Sequence, residues 1–109
     1  MTETTPDIHG ASERTAHLTA AQRYRALADH QRLAALRTLD GRESQLPLDR
    51  LASAVAARLD TETDPEFHDR LRCQLHHVHL PLLADLGVLA YDSETNQVEP
   101  NPAVLACLL

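Results

Sequence analysis

Between Asp64-Pro65 and Gly87 the chain keeps a helical pattern interrupted only by Pro81, and directly after Gly87 the pattern becomes that of a β-hairpin. An Asp before a Pro marks a helix start: the carboxylate accepts from the first free backbone N–H groups, and Pro loses nothing at the first helical position. Gly at the far end tolerates the left-handed backbone that stops a helix. At about 100° per residue, Leu71, Leu75, Val78, Leu82 and Leu86 fall on one side, which is expected to be buried. Arg70, Cys73, Gln74 and His77 fall on the far side, with Arg72, His76 and His79 toward one flank. Pro81 cannot donate to His77, so it is expected to kink this helix or split it in two. Val88-Leu89-Ala90-Tyr91, a polar stretch over 92–96 and Gln97-Val98-Glu99 then predict two short strands around a longer turn.

Upstream, Thr19 and Gln22 have the spacing of a capping box, which starts a helix carrying Tyr24, Leu27 and Ala28. Asp29 is the expected N-cap of a second helix with Leu33, Leu36 and Leu39 on one face, ended by Asp40-Gly41. The segment Leu46 to Leu48 is too short to separate a strand stub from a loop. Leu48, Leu51, Ala52, Val55 and Leu59 define a third amphipathic helix, and residues 60–64 read as a solvated loop. Residues 1–17 are polar and aperiodic, so a flexible tail with solvated His9 and His17 is expected there. The apolar stretch 102–109 predicts a short helix that packs on the first helix or on a partner subunit. This order of elements predicts a mainly α, winged helix-turn-helix fold of four to five helices with a two- or three-stranded β-wing. The domain spans 18–101, between the tail (1–17) and the C-terminal apolar segment (102–109).

A chain of 109 residues has room for one domain. At this size only about two-thirds of the unfolded surface is buried, which makes a homodimer an expected way to gain stability. Its ten basic residues are all Arg, and sixteen acids leave a formal charge of -6. A Lys-free, acidic composition fits a halophile's hydrated surface, although a GC-rich genome produces a similar bias. Cys73 and Cys107 make no disulfide framework, and no signal peptide or membrane-length apolar run is present, so a cytoplasmic protein is expected.

The run Arg25-Ala26-Leu27-Ala28-Asp29-His30-Gln31-Arg32-Leu33 resembles the opening of ArsR-type repressors. His79-Leu80 with Leu83, Gly87, Val88 and Leu89 is similar to the end of that family's recognition helix. A closer resemblance, over Tyr24 to Glu99, is to a haloarchaeal winged-helix family of unknown function marked by Leu75-His76-His77-Val78-His79-Leu80-Pro81. It implies a DNA-binding role. The Cys-x-Cys signature of thiolate-dependent ArsR sensors is absent, the loop before the longer helix is longer than a tight helix-turn-helix turn, and the wing carries Asp92, Glu94 and Glu99 with no basic residue. Contacts between that wing and phosphates are not expected.

These features predict a transcriptional regulator that binds double-stranded DNA. Arg70, Gln74 and His77 are the base-facing candidates, because Arg pairs with guanine and Gln with adenine through two hydrogen bonds each. Arg23, Arg25, Arg32 and Arg72 are the phosphate candidates. The same polar residues would also suit an ordinary solvated helix face. His68, Cys73, His76, His77 and His79 lie close in sequence, yet no CxxC or second ligand pair completes a tetrahedral set, so neither a metal site nor a cofactor is expected. Three Gly leave no phosphate-binding loop, and no Ser sits in a nucleophile elbow, so the chain does not read as an enzyme. The alternative class is a winged-helix protein-interaction module without DNA binding. It draws on the net charge, the acidic wing and the inserted loop.

Overall fold

The computed structural model describes residues 18–60 and 64–109. The expected tail and part of the expected loop after the third helix lie outside them. Helix α1 (Ala20–Leu27) begins at a full capping box: Thr19 Oγ1 accepts from the Gln22 N–H at 3.1 Å, and Gln22 Oε1 accepts from the Thr19 N–H at 2.9 Å. Helix α2 (His30–Leu39) is capped by Asp29, whose Oδ1 accepts from the N–H groups of Gln31 and Arg32. Gly41 follows with φ +86, the left-handed backbone expected of the stop.

Strand β1 (Leu46–Pro47) runs straight into α3 (Leu48–Arg58), so the short apolar segment is a strand stub. Helix α3 buries Leu48, Leu51, Ala52, Val55 and Ala56. It is tied to α2 by Arg58, whose Nε donates to Thr38 Oγ1 at 2.9 Å, while that hydroxyl donates to the Ala34 carbonyl.

The longer helical run has three parts: α4 (Pro65–Gln74), one π-helical turn (Leu75–His79) and α5 (Leu80–Asp85). It ends in a Schellman pattern, with the Gly87 N–H on the Ala84 carbonyl and the Val88 N–H on the Leu83 carbonyl. Strands β2 (Leu89–Asp92) and β3 (Gln97–Pro100) form the hairpin. The three-stranded antiparallel sheet has the order β1-β3-β2, with Val98 paired to both Leu46 and Tyr91. Helix α6 (Pro102–Leu108) buries Val104, Leu105 and Leu108 in the domain's own core. The architecture is therefore mainly α, with five helical units among the described residues and a small three-stranded wing, which is a winged-helix arrangement. No helix among the described residues is long and apolar enough to cross a membrane.

The buried stripe of the longer helix differs from the one the periodicity predicts. Leu71, Leu75 and Leu86 are buried, but Val78 is 45% exposed and Leu82 half-buried, while His79, Leu80 and Leu83 take the inner positions. The π turn is the cause. There the Leu80 N–H reaches back five residues to the Leu75 carbonyl, so one extra residue is accommodated and the inner face advances by one position. Pro81 sits just past this turn, where its missing N–H leaves no gap in a regular ladder. The divided helix expected from Pro81 is present, as a π turn between two α segments.

Candidate nucleic-acid interface

Helix α4 starts where Asp64 Oδ1 accepts from the Glu66 and Phe67 N–H groups at 3.1 and 3.2 Å, with Pro65 at the first helical position. Because Leu71 and Leu75 point into the core, Glu66, Asp69, Arg70, Cys73 and Gln74 are left on the outside. The Arg70 guanidinium lies 5.9 Å from the centre of the Phe67 ring, a cation–π contact that limits its freedom without using any of its donors. Arg70 and Gln74 together line an open groove of about 620 Å³ between α4, the π turn and the N-terminal end of α2. His77 is exposed but belongs to a different flank, edge-on to His76 with ring centres 4.6 Å apart. The structure thus brings two of the three base-facing candidates together and sets the third aside.

The floor of this groove is set by His79, which is 3% exposed. Its Nδ1 lies 3.4 Å from an Arg32 guanidinium nitrogen and its Nε2 3.1 Å from Gln31 Oε1. Arg32 can only donate, so Nδ1 accepts, and Nε2 carries the proton and donates to Gln31. That is a neutral imidazole. Burial drives its pKa below the ordinary value; Asp29, 3.9 Å away, opposes this, and the positive charges of Arg32 and His30 add to it. Partial burial pushes the Asp29 carboxyl up, but the N–H groups of Arg32 and Gln31, together with the Arg32 charge, outweigh it and hold that group below its usual range. The sequence runs Arg25–Leu33 and Leu75–Pro81 meet at this ring.

The phosphate candidates divide in the same way. Arg32 is committed inside the protein: besides His79, its Nε donates to the Ala26 carbonyl and its terminal nitrogen to the Arg25 carbonyl at 2.8 Å, closing the C-terminal end of α1. Arg72 is hydrogen-bonded and ion-paired with Asp49 of α3, which holds the guanidinium above its usual pKa. Arg23 and Arg25 are exposed on α1, with no side-chain partner among the described residues.

A second set of contacts fastens the wing to the π turn. His76 Nδ1 is 2.6 Å from the Tyr91 hydroxyl, which donates to Asn96 Oδ1 at 3.2 Å, so the imidazole is the donor to tyrosine. The hairpin turn is held by Asp92, which accepts from the Glu94 and Thr95 N–H groups; those bonds keep its carboxyl below the usual range. The outer wing surface presents Asp92, Glu94 and Glu99 around a shallow depression of about 640 Å³.

The remaining members of the His and Cys cluster diverge. His68 Nε2 lies 3.2 Å from Ser53 Oγ, and Cys73 is exposed as a free thiol. Among the described residues no three His, Cys, Asp or Glu side chains converge as a metal would require. Sequence reasoning missed the outward turn of Val78. The available signal was Pro81, four residues after His77, which requires the ladder to change there.

A model of the family described as Domain of unknown function (DUF7344) matches residues 24–99, from α1 to the end of the wing. Comparison with curated proteins and with solved structures gives no match.

Proposed function

The chain belongs to that domain family of unknown function, and from this and its winged-helix architecture we propose a cytoplasmic DNA-binding transcriptional regulator of a halophilic archaeon. In this reading α4 and the π turn enter the major groove and the protein acts as a homodimer. The observation that carries it is the exposed pair Arg70 and Gln74, one turn apart on the outer face of α4, with the guanidinium steadied by Phe67 and all its donors free among the described residues. Arg suits guanine and Gln suits adenine at that spacing. Arg23 and Arg25 supply phosphate contacts, and His77 reaches the duplex from the flank nearer the wing. Dimerisation uses α1 and the C-terminal segment, where Tyr24 of α1 and Leu109, just past α6, are 75% and 47% exposed.

One observation favours a second reading, a winged-helix module that binds protein. Asp69 and Asp29 share the groove with Arg70, and Asp49 neutralises Arg72, so acids interrupt the basic face. Chromatin immunoprecipitation in a halophilic host grown at high salt separates the two. Sharp peaks that share a short palindrome and disappear in Arg70→Ala/Gln74→Ala are expected for a DNA reader. A flat profile from a folded, abundant protein overturns that role and moves the weight to the interaction module.

A further inference from the structure

We infer that Val78 is a base-reading side chain that packs against the C5 methyl of a thymine in the major groove, an inference that rests on the DNA-reading role proposed above. An aliphatic side chain at this point of an amphipathic helix belongs in the core by periodicity, with Leu71 and Leu75. It lies outside because the π turn inserts one residue and passes the inner position to His79 and Leu80. Val78 is one of only three large hydrophobic side chains that stand exposed among the described residues, and it lines the same groove as Arg70 and Gln74.

Positions 70, 74 and 78 form a ridge at four-residue steps, which the wider π turn keeps in line. The ridge therefore presents, in order, a guanidinium, a carboxamide and two methyl groups. In the major groove a base pair offers acceptors, donors and, for thymine alone, a methyl group, and apolar side chains read the last of these. The contact is uncharged, so Asp29 and Asp69 nearby do not oppose it, and concentrated salt leaves it intact where it would weaken a phosphate contact. The target is a thymine adjoining the adenine that Gln74 reads.

The test is a selection from randomised duplex DNA at molar KCl with the intact protein, followed by replacement of each thymine of the enriched site by deoxyuridine. This removes the methyl and leaves the base pairing unchanged. One replacement is expected to weaken binding about fourfold, the worth of one apolar carbon removed from water. In Val78→Ala, which loses methyl groups that lie outside the buried core, the site should still bind and the thymine-to-deoxyuridine difference should vanish. An enriched site at which no deoxyuridine replacement matters, or at which Val78→Ala keeps the full difference, overturns the assignment of Val78 and leaves the DNA-reading role standing. No enriched sequence at all overturns both.

Discussion

His79 shows how one side chain sets the geometry of the candidate interface. Its ring is buried, neutral, and held between a donor from Arg32 and an acceptor on Gln31, so it fixes where α2 meets the π turn. A proton on Nδ1 would face the Arg32 guanidinium and remove the only acceptor that bond has. Burial of the ring above all, with the Arg32 charge adding to it, depresses the folded-state pKa below the unfolded value of about 6.5. With that sign the unfolded chain takes up the proton first as pH falls. The His79 contribution to stability is fully present above about pH 6.5 and is lost as pH drops toward the folded pKa. Chemical denaturation at a series of pH values should show this slope, and His79→Gln, which keeps an acceptor but does not titrate, should flatten it. An unchanged slope in the Gln variant would mean that another group is responsible. Asp29, whose pKa is also lowered, contributes in a separate window: its share is present above about pH 3.8 and is lost as the carboxyl protonates below that.

The wing is an element with little core of its own, and it owes its position to Val98 and to the chain from His76 through Tyr91 to Asn96. Tyr91→Phe keeps the ring and removes the hydroxyl, leaving a donor on His76 and an acceptor on Asn96 without their partner. The expected loss is about 1 kcal/mol, with faster amide exchange in β2 and β3 than in α3. Equal exchange in both places would show that strand pairing alone holds the wing. The elements themselves are largely legible in the sequence, because their limits are local: Thr19 with Gln22, Asp29, Asp64-Pro65, Gly41 and Gly87 each act on backbone groups within a turn. What is not legible depends on tertiary packing. Three residues, Leu46 to Leu48, cannot declare a strand until Val98 of β3 lies beside them. The two partners of the His79 ring, Gln31 and Arg32, come from another helix. Val78 reads as core because periodicity assumes one uniform pitch, and the Pro81 signal announces a break without saying whether it is a kink, an end or a π turn. The same shift parts His77 from Arg70 and Gln74, which share a face only on a continuous α-helix.

For the whole molecule the deciding quantity is how few Arg side chains are free to meet a duplex, against a formal charge of -6. Of the four phosphate candidates, Arg32 closes the end of α1 and Arg72 is paired with Asp49, which leaves Arg23 and Arg25. Each phosphate neutralised on duplex DNA adds about -0.9 to the slope of log K against log salt. Two contacts per subunit then give a homodimer a slope of about -3.6, while all four candidates would give about -7. A shallow slope is what a DNA reader working in concentrated salt needs, since little affinity is then left to counterion release and most comes from Arg70, Gln74 and apolar contact. Fluorescence anisotropy on the selected duplex, titrated with KCl, measures this directly. The expected result is a slope near the smaller value, reduced by about 2 in Arg25→Ala because one contact is lost from each subunit. A slope near the larger value would mean that Arg32 and Arg72 give up their partners on binding. The N-terminal end of α2 would then rearrange when DNA arrives, and the groove floor built on His79 would move with it.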